Sequence, residues 1–281
     1  FDTDATVCRL RYRFASEGLA TCTKRAFPPG LALLPAEALP LHERIMFDLI
    51  VDGVFFARKT NDPPIKGFSV NDLVMPTTPK PIKDLFSSFM QKLPDLNEKL
   101  GAIPREDWPR HAEGEIVFEG LPTGCKRLEL YLPEKVAVRL CSLSLEGSAR
   151  VAEIIDTRPL FVTYGSSITQ GMPFAHGPSS VWPVVAARAA NVRAMNLGAG
   201  GQCHFDQTVA RLIRDTPAAC FAFELGINVH NGGSMSTRTF VEAAMGFILT
   251  VRDGHPEAPI CVVSPIWGGF REEQSWDIEV G

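Results

Sequence analysis

Residues 160–171, Leu-Phe-Val-Thr-Tyr-Gly-Ser-Ser-Ile-Thr-Gln-Gly, decide how the rest of the chain is read. Leu160 to Tyr164 are apolar, aromatic and β-branched, the composition of a buried strand. Gly165 then starts a sharp turn that presents Ser166 and Ser167 just past the strand's end, the place where open α/β sheets bind ligands. By themselves these residues fit two descriptions equally: a reactive turn, or an ordinary strand-to-helix connection in which a serine caps the next helix.

From Val151 onward the pattern alternates between strand and helix. Strands are expected at 160–164, 192–197, 220–225 and 260–264, and helices near 179–190, 205–214 and 237–252. Such alternation predicts a flavodoxin-like α/β fold, a parallel sheet with helices on both faces. The loops after the strands then converge on one edge. They read Gly165-Ser166-Ser167, Gly198-Ala199-Gly200-Gly201 and Gly226-Ile227-Asn228. A hydroxyl, a glycine-rich backbone and an amide side chain are what acyl transfer needs: a nucleophile and donors for an oxyanion. Gly198–Gly201 also fit a tight turn, and Asn228 a helix cap. A dinucleotide fingerprint is set aside because Gly198-x-Gly200-x-x-Cys203 lacks the third glycine, and no Gly-Lys-Ser/Thr phosphate loop follows any strand.

The first part of the chain has a different period. Short β-like runs at 7–14, 45–56, 115–118, 127–132 and 136–145 predict a small antiparallel β-sandwich over residues 1–150, ahead of the α/β domain at 151–281. Val7, Leu10, Tyr12 and Phe14 are expected on one strand face, and Asp52-Gly53 signals a hairpin. Between 58 and 114 prolines at 63, 64, 76, 79, 81, 94, 104 and 109 break the pattern. This stretch reads as an insertion with one short helix at 82–93, a surface excursion rather than a normal loop.

Composition bounds the function. The 281 residues carry a net charge of -4 with a pI near 5.9, and no Lys/Arg cluster offers a nucleic-acid footprint. No stretch approaches the roughly 20 apolar residues of a membrane span. Seven cysteines, at 8, 22, 125, 141, 203, 220 and 261, form no CxxC pair and read as small buried residues. Cys203 and His204 are adjacent and would point apart, and no histidine pair has metal-ligand spacing, so neither a metal nor a cofactor is expected.

The order Gly165-x-Ser167-Ile168-Thr169, Asn196-x-Gly198-x-x-Gly201 and Gly226-x-Asn228 resembles the GDSL or SGNH hydrolase family over residues 158–267. Phe47 to Gly53 and Leu128 to Pro133 are similar to the jelly-roll-like β-sandwich that precedes this domain in one esterase subgroup. The resemblance implies Ser167 as the nucleophile, with the N–H of Ser167, the N–H of Gly201 and the Asn228 amide as the oxyanion hole. Ser166 stands where the commonest family form has Asp, and it and His230 are candidate substrate contacts. The implied reaction is hydrolysis of a short acyl ester, such as an acetyl group on a carbohydrate or similar small molecule.

A serine hydroxyl needs a base. The family's Asp-x-x-His block, expected after the last strand, is not in this sequence. Asp253-Gly254-His255 has the wrong spacing and lies at the wrong sheet edge; His176, His204 and His230 follow strands and lie at the right one. The chain opens at Phe1 without an initiator Met, and both ends read as cut, so a fragment of a longer esterase is expected. A non-catalytic carbohydrate-binding or scaffold protein and an acyltransferase are the alternatives. Compartment and oligomeric state are left open by the sequence.

Overall fold

The computed structural model describes residues 1–15, 45–61, 111–134, 138–147, 150–171 and 176–266. Among the described residues eight strands come first: β1 (Asp2–Thr3), β2 (Val7–Ala15), β3 (Ile45–Val51), β4 (Val54–Asn61), β5 (His111–Glu119), β6 (Lys126–Tyr131), β7 (Val138–Glu146) and β8 (Val151–Ala152). They pair antiparallel into two sheets, ordered β4-β3-β6-β1-β8 and β5-β2-β7. Alternation decides which side chains enter the core between them. Leu10 and Tyr12 of β2, Phe47 and Leu49 of β3, Phe118 of β5 and Leu128 of β6 are buried in one cluster.

The inward set on β2 differs from the expected one. Cys8, not Val7, joins Leu10 and Tyr12, because a period of two links position 8 to 10 and 12. The side chain of Phe14 lies outside the described residues. Asp52 (φ 48°) and Gly53 (φ 79°) both adopt the left-handed conformation that a two-residue hairpin requires, and they join β3 to β4 as anticipated. The flanks of the 58–114 stretch are strand, since β4 runs to Asn61 and β5 starts at His111. The proposed helix at 82–93 lies outside the described residues, as does Cys22.

The α/β part follows: β9 (Leu160–Gly165), α1 (Ser167–Gln170), a 3-10 turn (Pro178–Ser180), α2 (Trp182–Ala189), β10 (Arg193–Gly198), α3 (Gln207–Arg214), β11 (Cys220–Glu224), α4 (Ile227–Gly232), α5 (Thr237–Gly254) and β12 (Ile260–Val263). All neighbours are parallel in the order β10-β9-β11-β12. Successive side chains of β9 reach opposite faces. Phe161 meets Trp182 of α2 edge-on, whereas Tyr164 stacks on Phe247 of α5. Helices therefore cover both faces, as the alternating pattern predicts. The short helices α1 and α4 were not anticipated, since one to two turns leave no readable periodicity.

The two parts meet at a buried carboxylate. Asp48 of β3 is fully buried; its oxygens accept from Arg58 Nε (2.7 Å) and Nη2 (3.0 Å), and from the N–H (3.0 Å) and hydroxyl (2.6 Å) of Ser179. Gly177 leaves room for the Arg58 guanidinium, because a Cβ there would come within 2.3 Å of it. Burial by itself would raise the Asp48 carboxyl, but the bonds from Arg58 and Ser179 outweigh it and hold the group below its ordinary value. A lowered folded value stabilises the protein above the unfolded carboxyl's pKa of about 4, and the contribution is lost as pH falls through the folded value. Asp48→Asn, which leaves Arg58 unpaired, is expected to cost about 3 kcal/mol at neutral pH. Thermal unfolding across a pH series should show that gap closing in acid.

Candidate active site

Strand order places β9 next to β11 with the connection reversing direction at β10, and the crevice outside the carboxyl ends of such strands is the usual ligand position. Three loops meet there, and each is fixed by identifiable contacts. At the end of β9, Gly165 is required by space: a Cβ would lie 2.2 Å from Thr169 Oγ1 and 2.9 Å from Glu224 Oε2. Ser166 is the N-cap of α1, its hydroxyl accepting the Ile168 N–H at 3.1 Å. Ser167 is the first residue of α1 and is partly exposed. Gly171 (φ 105°) closes the helix by donating its N–H to Ser167 O at 2.9 Å.

The second loop is laid against the first. Asn196 donates from Nδ2 to Thr169 O (2.8 Å) and accepts the Gly198 N–H at Oδ1 (2.9 Å), so the asparagine of the second motif ties two loops. A Cβ on Gly198 would fall 2.2 Å from Gln170 N, which explains the glycine. Gly200 donates its N–H to Gln170 Oε1 at 2.8 Å, and a Cβ built on it would sit 3.5 Å from Ser167 Cβ. Gly201 (φ 70°) follows directly, and its carbonyl lies 3.2 Å from His204 Nε2.

In the third loop Gly226 (φ 114°) leads into α4. Asn228 lies within α4 and does not cap it; its Oδ1 accepts the Cys203 N–H at 3.0 Å. That bond ties the third loop to the second and makes the amide nitrogen the opposite end of the side chain. Burial pushes the Cys203 thiol up to about 12, so it is protonated at neutral pH and is no rival nucleophile. Cys8 is also buried, but Cys125, Cys141 and Cys261 are exposed, contrary to the expectation of buried cysteines.

Other candidates fall elsewhere. Ser166 is fully buried and donates to Glu224 Oε2 at 2.6 Å, so it supports the turn and does not face a substrate, a correction to its expected role. His230 and His176 are exposed. His204 is engaged at both ring nitrogens, by Gly201 O and by Ser234 Oγ at 2.9 Å. Because a carbonyl only accepts, Nε2 carries the proton and Nδ1 accepts from Ser234 in the neutral ring. His255 lies at the opposite sheet edge, 3.1 Å from Ile213 O. Among the described residues no three His, Cys, Asp or Glu side chains gather as a metal site, and no helix is long and apolar enough to cross a membrane. A cavity of about 1140 Å³ also lies at the opposite edge, where Arg158 pairs with Asp156 and Arg127 with Asp2.

Two residues escape the sequence reading. Glu224 is a charged residue at the end of the otherwise apolar Cys-Phe-Ala-Phe-Glu strand, and that contrast was its signal. Gln170 reaches both parts of the molecule: besides accepting from Gly200, it donates from Nε2 to Glu134 O at 3.0 Å. Nothing local distinguishes it from any polar helix residue. Gln170→Leu removes both bonds, at about 1 kcal/mol each. Amide exchange followed by mass spectrometry should then speed up over residues 198–201. Gln170→Glu keeps the acceptor for Gly200 and should exchange at an intermediate rate.

Residues 158–268 match the GDSL-like lipase/acylhydrolase family model. No curated protein matches the sequence. Among solved structures, the salicylyl-acyltransferase SsfX3 from a tetracycline biosynthetic pathway superposes with a TM-score of 0.61 at 22% identity, covering 92% of this chain and 56% of that one. A family two carbohydrate esterase from Clostridium thermocellum gives 0.56 at 13% identity, covering 95% and 71%. An acetyl xylan esterase from Butyrivibrio proteoclasticus gives 0.53 at 13%, covering 97% and 73%. The chain thus spans little more than half the length of the acyltransferase. With a β-rich part ahead of it, the α/β part is similar, over residues 158–268, to the GDSL-like lipase/acylhydrolase family.

Proposed function

We propose that the chain acts as a serine esterase, with a β-sandwich domain to about residue 150 and a hydrolase domain from 151. It acts on a short acyl ester, such as acetyl on a carbohydrate or similar small molecule. Ser167 Oγ attacks the ester carbonyl and gives up its proton to a base. The oxygen, now negative, accepts hydrogen bonds from the Ser167 and Gly201 N–H groups and from Asn228 Nδ2. Collapse of this intermediate expels the alcohol and leaves an acyl group on Ser167, which water removes in the second half.

The observation that carries the reading is the approach of the glycine-rich loop to the serine. The Cβ position at Gly200 is 3.5 Å from Ser167 Cβ, and Asn228 is fixed onto the same loop through Cys203. Donors held in place before reaction stabilise developing charge without reorganising. His204, the nearest histidine along the chain to Gly201, is already committed to Gly201 O and Ser234 and is not assigned as the base.

Similarity to carbohydrate esterases supports the choice of acyl ester, and similarity to a salicylyl-acyltransferase supports a second reading in which an alcohol takes the acyl group in place of water. A fluorophosphonate probe is expected to label Ser167, and Ser167→Ala to abolish labelling. Asn228→Ala should lower ester turnover by about 100- to 1000-fold, the usual effect of losing one oxyanion donor. Acetate release with and without an acceptor alcohol separates hydrolysis from transfer. Absence of labelling at Ser167 in a protein that also carries the Asp-x-x-His block would sink the esterase and favour a binding protein of the same fold.

A further inference from the structure

Glu224 ends β11 and is almost completely buried, next to Phe221 and Phe223, which fill the core. Its Oε2 accepts three hydrogen bonds: from the Ser166 N–H at 2.9 Å, the Ser166 hydroxyl at 2.6 Å and the Thr169 hydroxyl at 3.3 Å. Its Oε1 is buried with no hydrogen-bond partner among the described residues. A buried carboxyl group with one oxygen unpartnered among the described residues is expensive for folding. An apolar residue would extend the apolar run of the strand at lower cost, so the bonds made by Oε2 call for a reason.

Those bonds surround one residue. Ser166 precedes Ser167 and Thr169 follows it by two, so the carboxylate holds the turn on both sides of the candidate nucleophile. The Ser166 hydroxyl donates a hydrogen bond to Glu224 and therefore turns a lone pair toward the Ile168 N–H, which fixes the first turn of α1. Parallel pairing of Phe223 with Tyr164 sets the depth from which Glu224 reaches across, and Gly165 clears the path. The Glu224 carbonyl also lies 3.5 Å from Cys203 Sγ, in the loop that approaches Ser167 from the other side.

We propose that Glu224 is a positioning residue: it clamps Ser166 and Thr169 so that the Ser167 hydroxyl is held toward the Gly200–Gly201 loop. The inference rests on Ser167 being the nucleophile, and the test separates the two. In the full chain, Glu224→Gln keeps an oxygen acceptor at the same reach, whereas Glu224→Leu removes it at similar bulk. Fluorophosphonate labelling of Ser167 is resolved into probe affinity and rate constant, alongside amide exchange over 160–171 and thermal unfolding.

Glu224→Leu is expected to lower the labelling rate constant about 100-fold, the scale of an ångström of misplacement. Affinity should change less than about 3-fold and Glu224→Gln should stay within about 5-fold of the parent in rate, a rescue that lost packing would not give. Exchange over 160–171 should rise in the leucine variant while the sandwich stays protected. Labelling of Glu224→Leu at the parent rate, or Gln as slow as Leu, overturns the proposal. If the leucine variant does not fold, Ser166→Ala, which deletes one arm of the clamp, is measured in its place with the same expectation. If the parent chain does not label at Ser167, amide exchange alone decides, independently of the esterase reading: faster exchange in the variant upholds the clamp, and unchanged exchange rejects it.

Discussion

Parallel pairing of β9 between β10 and β11 is the constraint on which the rest depends. With β10 registered on β9 from Arg193↔Leu160 to Gly198↔Gly165, and β11 on β9 from Cys220↔Phe161 to Phe223↔Tyr164, the three strands end at nearly the same height. Their following loops have no other edge to occupy. Side chains separated by up to about 60 residues, Ser166 and Glu224 among them, are brought within hydrogen-bond distance by the backbone ladders of β9.

Close approach of the loops then depends on missing side chains. Gly165, Gly198 and Gly200 lie where a Cβ would meet Thr169, Gln170 or Ser167. Around these gaps the polar groups satisfy one another: Asn196 joins the second loop to Thr169, Gln170 joins it to the sandwich, and Asn228 joins the third loop to Cys203. Each link is a modest interaction in isolation, but together they remove the freedom a loop would otherwise have. Rigid donors near a serine are what acyl chemistry would exploit.

The sandwich is attached through polar contacts at the same side of the α/β part. Asp48 and Arg58 hold residues 177–180, and Glu134 meets Gln170, so the chain is gripped at both ends of the stretch that leads from α1 to α2. A buried ion pair favours one docking geometry because misalignment would leave a carboxylate without partners. Gln170, bonded to Glu134 on one side and to Gly200 on the other, touches both parts.

Much of this was legible in the sequence. Alternation of strand and helix after Val151 fixed the α/β class, Asp52-Gly53 the hairpin, and the three glycine-bearing motifs the edge at which chemistry would be sought, since periodicity and turn chemistry are local properties of the chain. On the inward face of β2 Leu10 and Tyr12 were read correctly and Val7 was taken in place of Cys8, and α1 and α4 were too short to leave a period. Only the tertiary structure decided that Ser166 is buried support, that Asn228 bonds Cys203 instead of capping a helix, and that Glu224, Gln170 and Asp48 matter at all. Their roles come from partners distant in sequence, and a hydrogen bond between residues tens of positions apart leaves no trace in the local pattern of either.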